Sequence, residues 1–461
     1  MINFVPRRRL FVVFALAVTL TATAAAENLE FRQCVATALV QNPDLGISRA
    51  QIEQAEAGLR QAQGNRLPRL NLSLTGTRSN DALNAFGMKL GQRNATFNDF
   101  GAGEFTGPTA LGVAPQNLNH PDAVDNFNSR IEVQVPVYNG GMVQSYIDTA
   151  KAYVRAAQSG DEMARQQLTK NILMAYQGVH TARAYIKVAE EGRAAAEEYV
   201  RITEKLHKQG MVVKSDLLAA RVNLEDVKVK LLEARNAEKS ALNQLALLLG
   251  QSLDEPLDVG APVTPSLLAG SEAALRQQAR DGNAGLRALR NQVEASGAQV
   301  GAARAGKLPQ FNVMLRQDWN DKSIGLSAPS YTVAGVLSWS AFDGGVTNAG
   351  IDRAAAARAE LVARLRQAEE GIGYQVTDAR RRALEAEEKV TARVANLEQA
   401  REAQRLVKKR LENGMGTLVE VLAAQAQLDH AGADLVAARY ELAVNRAELK
   451  RAVGVLSAET L

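Results

Sequence analysis

The chain has 461 residues, 46% of them apolar, a net charge of +4 and one cysteine, Cys34. Residues 1–26 carry Arg7, Arg8 and Arg9 and no acid, so without them the charge falls from +4 to +1. A near-neutral chain with no basic cluster lacks the concentrated charge that nucleic acids require as partners, and a lone cysteine excludes an internal disulfide.

Arg7 to Arg9 precede an apolar stretch from Leu10 to about Leu20, closed by the small residues Ala22 to Ala26. This is the pattern of a secretory signal peptide over 1–26. Cleavage after Ala24-Ala25-Ala26 starts the mature chain at Glu27, and cleavage after Ala22-Thr23-Ala24 starts it at Ala25. Phe31-Arg32-Gln33 is not the small apolar run that lipid attachment at Cys34 needs, so Cys34 reads as a helix thiol. Beyond the signal no apolar run approaches the roughly 20 residues of a membrane helix. A mature chain that enters a membrane must therefore do so as strands.

The second half repeats the first. Asn42 to Asn71 aligns on Asn283 to Asn312 at a shift of 241, matching Leu67-Pro68 to Leu308-Pro309. Tyr138-Asn139-Gly140-Gly141 then matches Phe342-Asp343-Gly344-Gly345 at a shift of 204, as Gly210-Met211 matches Gly414-Met415 and Gly250 matches Gly454. The difference of 37 residues is an insertion in copy one, confined between Pro68 and Tyr138.

The first unit, 27–250, reads as a helix, strands about 69–78 and 128–138 around a long exposed loop 80–126, a long helix 141–207, a tip turn 208–215 and a helix 216–249. A linker, 251–270, leads to the second unit, 271–455. Its strands are about 310–319 and 330–341, its long helix 345–411, its tip turn 412–417 and its last helix 418–453, with a C-terminal tail at 456–461. Pro68 and Pro309 stop the first helices because proline has no amide hydrogen and clashes with the preceding turn.

Alternation follows each proline. Leu70, Leu72 and Leu74 oppose Asn71, Ser73 and Thr75, and Ile131, Val133, Val135 and Val137 oppose Arg130, Glu132 and Gln134. In copy two Phe311, Val313 and Leu315 oppose Asn312, Arg316 and Asp318, while Tyr331, Val333, Leu337 and Trp339 share a face. Ten-residue strands with one apolar and one polar face suit a membrane barrel around water, and also a half-buried soluble hairpin. Four strands cannot close a pore, since the smallest such barrels have about eight, so the barrel reading demands an oligomer. Trp319 and Trp339 near opposite ends of the second hairpin, with Tyr138, fit interfacial aromatics.

Each long helix of nearly 70 residues spans roughly 100 Å. Its seam in copy two is Leu361, Leu365, Ala368, Ile372, Val376, Ala379, Ala383, Ala386, Val390, Val394 and Leu397, ten steps over 36 residues. A period near 3.6 keeps helices nearly straight, so that side by side they can wall a cylinder, and an ordinary antiparallel coiled coil without a lumen is the alternative.

The duplicated unit, the Leu-Pro pairs before strands, the Asn-Gly-Gly and Asp-Gly-Gly openings of long helices, and the Gly-Met turns followed by Asp216-Leu217-Leu218 and Glu420-Val421-Leu422 together resemble the TolC-like outer-membrane efflux family over about residues 28–455. The resemblance implies a mainly α fold with membrane β: a homotrimer whose 12-stranded barrel crosses the outer membrane and continues into a 12-helix periplasmic barrel. It also implies docking, through the tip turns at Gly210, Met211, Gly414 and Met415, to a membrane-fusion adaptor and an inner-membrane pump. Type I protein secretion would use the same architecture, and a periplasmic structural coiled coil is the alternative from another class.

By resemblance Glu420 and its equivalent Asp216 line the periplasmic gate, where a ring of carboxylates would select cations. Glu420 also suits a capping box with Thr417, and Asp216 a side-chain network at its own turn. The family's second acid and its Tyr and Arg latch are replaced here by Ala423, Leu411 and Gly416. Gly140, Gly141, Gly344 and Gly345, like Pro68 and Pro309, mark helix–strand transitions. The four histidines lack metal-ligand spacing, Gly101-Ala102-Gly103 is a fragment of a dinucleotide motif in a loop, and no nucleophile motif occurs. No catalytic, cofactor or metal site is expected.

Overall fold

A computed structural model describes residues 27–461, so the expected signal peptide lies outside the described residues. In chain order the elements are β1 (Glu27–Leu29), α1 (Phe31–Gln41), α2 (Pro43–Gly64), β2 (Arg69–Ser79), α3 (Ala82–Gly91), α4 (Gln116–Asn119), β3 (Val124–Tyr138), α5 (Met142–Lys208), α6 (Lys214–Leu249), β4 (Leu257–Val259), α7 (Glu272–Gly282), α8 (Ala284–Ala305), β5 (Gln310–Asp321), β6 (Pro329–Ser338), α9 (Val346–Glu412) and α10 (Leu418–Val453).

The duplication is written into the helix caps. Asn42 starts α2 by accepting from the Asp44 amide at 2.8 Å, and its own amide donates to the Leu248 carbonyl at 2.8 Å. Asn283 starts α8 in the same way, accepting from Gly285 at 2.9 Å and donating to Ala452 at 3.3 Å. Each asparagine thus caps one helix and ties it to the end of its copy's last helix, a side chain satisfying amides that the first turn leaves without partners.

The four longest strands form one antiparallel sheet in the order β2-β3-β5-β6. Its register carries the alternation across every strand. Leu70, Val133, Leu315 and Val333 form one row of the apolar face, and Leu72, Ile131, Gln317 and Tyr331 the next. The opposite face has the row Ser73, Arg130, Asp318 and Ser330. The apolar face is bare: Leu72 is 71% and Tyr331 81% exposed. Arg130 and Arg316 both pair with Asp318 on the polar face, at 2.7 and 2.9 Å. No helix among the described residues is long and apolar enough to cross a membrane.

Several boundaries differ from the sequence reading. The segment expected as an exposed loop over 80–126 contains α3, three 3-10 turns and α4, and β3 begins at Val124. An N-cap at Asp81, which accepts from the Asn84 amide at 3.0 Å, starts α3, and Ala85 and the edge-on Phe86–Phe100 pair pack it. The expected linker 251–270 includes β4, which pairs in parallel with β1; three-residue strands held by main-chain pairing leave no hydrophobic periodicity to read. The last strand ends at Ser338, and Trp339 lies beyond it, its indole donating to the Lys307 carbonyl at 3.0 Å. The tail is anchored, with Leu456 buried in the main core.

That core surrounds the middle of α5. Leu168, Ile172, Leu173, Tyr176 and Val179 meet Phe31, Val35 and Leu45 from α1 and α2 and Leu245 and Leu249 from α6. The Cys34 thiol is fully buried there, and burial pushes its pKa up to about 11, which leaves it unreactive.

Candidate functional site

Both long helices end in the same way. Gly210 (φ +75°) and Gly414 (φ +72°) take the left-handed conformation. The Gly210 amide donates to His207 at 3.0 Å and the Met211 amide to Leu206 at 2.9 Å. The Gly414 and Met415 amides donate to Leu411 and Arg410, each at 2.9 Å. This paired return of amides to the last turn closes a helix and turns the chain sharply. It leaves Met211 and Val213 exposed on one tip and Met415 and Val419 on the other.

The acidic residues lie just past these turns. Glu420 is in the first turn of α10, and its amide donates to Thr417 Oγ1 at 3.3 Å. The capping bond runs one way, because the Glu420 carboxylate turns instead to Arg410 at 3.7 Å. Asp216 occupies the equivalent first turn of α6, partly exposed, and makes no ion pair among the described residues.

Two of the three positions that depart from the family pattern are packed. Leu411, 2% exposed, lies in an apolar cluster with Tyr199, Ile202, Leu206 and Val421. A side chain at Gly416 would meet the Leu411 amide at 3.0 Å, so only glycine lets the turn lie this close to α9. Ala423 is exposed. In copy one, His207 occupies the place of Leu411 and bonds the Val212 carbonyl through Nδ1 at 3.0 Å.

Above the cluster is a buried polar network that sequence reasoning missed. Tyr199 of α5 donates its hydroxyl to Gln425 Oε1 of α10 at 3.0 Å, and Gln404 Nε2 of α9 donates to the same oxygen at 3.1 Å and also contacts the Tyr199 hydroxyl. Gln425 Nε2 donates to Asp429 at 2.8 Å. Burial raises the pKa of Asp429 and of the Tyr199 phenol. The network ties α5 to both helices of copy two. A signal was available: at the shift of 204 the three bonded positions carry Ala403, Val200 and Arg221, so the two copies differ in polarity there.

The helix–strand transitions are equally local. Pro68 and Pro309 stand immediately before β2 and β5, and Gly140, Gly141, Gly344 and Gly345 all have positive φ between β3 or β6 and the long helices. A side chain at Gly140 would come within 2.9 Å of the Ala305 carbonyl. Tyr138 pairs with Phe311 near this end of the sheet, beside Trp339, while Trp319 pairs with Ser129 and Pro329 toward the other. From Phe311 to Trp319 is eight residues, roughly 27 Å of strand, which when tilted covers most of an apolar band of about 25 Å.

Comparison with known proteins agrees with this architecture. The model of the outer membrane efflux protein family matches residues 34–251 and 275–455. Comparison with curated proteins gives no match by sequence. Among solved structures, the outer membrane protein VceC of Vibrio cholerae is 19% identical with a TM-score of 0.74, covering 92% of this chain and 96% of that one. The CmeC outer membrane channel of Campylobacter jejuni is 16% identical with a TM-score of 0.75, covering 98% and 94%. The MtrE outer membrane channel of Neisseria gonorrhoeae, in its open state, is 19% identical with a TM-score of 0.72, covering 92% and 88%. At these identities the structures establish the fold, and the family model establishes the lineage. The structural coiled-coil alternative is thereby set aside. The chain belongs to the outer membrane efflux protein family and shares its fold with these outer membrane channels.

Proposed function

We propose that three copies of this chain form the exit duct of a tripartite efflux system, passing small molecules from an inner-membrane pump and a membrane-fusion adaptor to the exterior. The observation that carries this reading is the sheet. It has a bare apolar face, a charged opposite face and open edges at β2 and β6. The strands alternate in direction, so β6 of one copy meets β2 of the next antiparallel, and a head-to-tail contact of this kind closes into a ring. Closure removes the open edges, turns the apolar face to lipid and encloses the charged face as a water-filled lumen. Three chains supply twelve strands and, from α5, α6, α9 and α10 with the paired α2 and α8 above them, the periplasmic barrel.

The tips then converge, and Glu420, with Asp216, rings the narrow end. An acidic ring in a confined lumen selects cations, and the Arg410 contact to Glu420 tempers that charge. The exposed Met211 and Met415 give the adaptor soft apolar contacts. The test is single-channel conductance of the detergent-extracted oligomer in planar bilayers, for the unaltered chain and for Glu420→Ala. Small cation-selective openings whose selectivity weakens in the variant support both the duct and its gate. A protein that stays soluble and never inserts overturns the barrel.

A further inference from the structure

We infer that the 37-residue insertion of copy one is an inward-folded collar that narrows the outer mouth of the duct and sets the size of what passes there. The inference rests on the reading of the sheet's charged face as the lumen.

The insertion does not extend away from the sheet. Gln92, directly after α3, donates from Nε2 to Asn126 Oδ1 at 2.9 Å and to the Asp125 carbonyl at 2.7 Å, while its Oε1 accepts from Asn94 at 3.0 Å. Asn126 lies on the same face of β3 as Asn128, Arg130 and Glu132, the polar one, and donates on to Asn320 of β5 at 3.0 Å. A side chain at Gly91 would meet Asn320 at 3.6 Å, so α3 ends against β5 as well. The cover is measurable, since Asn126 is only 8% exposed.

A second tie reaches the far strand. Arg93 and Ala328 are the two non-glycine residues with positive φ among the described residues, at +58° and +44°. Arg93 donates a guanidinium hydrogen bond to the carbonyl of Pro329, next to Ala328 and at the start of β6. Two unfavourable backbone conformations brought together by one bond mark a geometry that the surrounding contacts impose. The insertion is also braced internally, by Lys89 to Asp99 and by the Glu104 carboxylate, which accepts from the Gln116 amide at 2.7 Å. The stretch 91–93 therefore meets β3 and β5 on the polar face and is tied to the start of β6 through a main-chain carbonyl. Copy two joins its strands with residues 322–328 alone, so each chain contributes one collar segment to the ring.

The experiment places single cysteines in the full chain and labels intact cells from outside. Cys34 is fully buried and gives no background. Glu132→Cys lies on the polar face below the collar, and Leu72→Cys on the apolar face. A small charged thiol reagent should reach Glu132→Cys, whereas a maleimide on a several-kilodalton polyethylene glycol, excluded by aperture, should react about tenfold or more slowly. Replacing 80–123 by residues 322–328 should remove that difference, and Gln92→Ala with Arg93→Ala should reduce it. Equal rates for both reagents in the unaltered loop overturn the collar while leaving the duct intact. Labelling at Leu72→Cys with none at Glu132→Cys overturns the lumen assignment itself. If the loop replacement fails to assemble, a short-span bifunctional thiol reagent should join Gln92→Cys to Asn126→Cys in the otherwise native chain; no cross-link there also overturns the collar.

Discussion

The two long helices, α5 and α9, have the same length, 67 residues, and the same closing turn, yet α5 buries 20 residues in the protomer and α9 seven. The difference starts in the sequence at equivalent positions. Leu173 and Tyr176 of α5, both fully buried against α1 and the β1–β4 pair, correspond to Thr377 and Arg380 of α9. Those two reach polar partners instead, Thr377 to Glu272 at 2.9 Å and Arg380 to the Gly270 carbonyl at 3.5 Å. On its other faces α9 stays open, with Tyr374 72% exposed. One copy of a duplicated unit sets its long helix in the larger core, while the other packs its long helix on a smaller one and leaves most of it open within the protomer, a surface that a ring of protomers can cover. Duplication preserves caps and turns, which are local, while the apolar surface is reassigned according to what each helix meets.

The largest expected effect breaks the comparison directly. Ile172→Ala in the α5 core should cost about 2–5 kcal/mol of protomer stability, measured by denaturant unfolding in detergent. Tyr374→Ser on α9 should leave the protomer almost unchanged and weaken only the association of the detergent-extracted oligomer. Equal losses of protomer stability in the two variants would mean that α9 is as internal as α5.

A smaller effect sharpens the comparison at the tip. Gln425→Leu leaves the Tyr199 hydroxyl and Gln404 amide without their shared acceptor, at about 1–3 kcal/mol for stranded buried groups. It should lower the thermal midpoint and lengthen channel openings. The equivalent position in copy one is Arg221, whose exposed pair with Glu204 at 2.7 Å is screened by water and contributes little. Arg221→Leu should therefore be nearly silent in both measurements, and a matching loss there would place the tie between helices elsewhere.

The smallest expected effect is a slope. Burial raises the pKa of Asp429 above 3.8, so the folded chain holds that proton more tightly than the unfolded one. Stability should rise as pH falls from the raised value toward 3.8 and level off below it. Asp429→Asn should flatten this part of the pH profile, and an unchanged slope would assign the titration to another group.

The elements that the sequence discloses are those set by near neighbours. The Leu-Pro stops, the Gly-Met turns and the alternation of Leu70, Leu72 and Leu74 act within a few residues, and the repeat doubles each signal. The seam from Leu361 to Leu397 is the less exposed side of α9, as its period requires. The Tyr199–Gln404–Gln425 network joins residues up to 226 apart, and glutamine on a helix has no periodic signature. The insertion was legible as an insertion, yet its Asn, Gly and Pro content reads equally as open loop.

The amino-acid sequence by itself determines the duplication, the four two-faced strands, the straight long helices and the demand for more than one chain, because each follows from chirality, periodicity or the reach of a single turn. Only the tertiary structure decides which copy forms the core, which polar groups meet across α5, α9 and α10, and that the insertion folds over the polar face. Those outcomes depend on a few long-range hydrogen bonds and on burial against distant helices, whose partners no local pattern names.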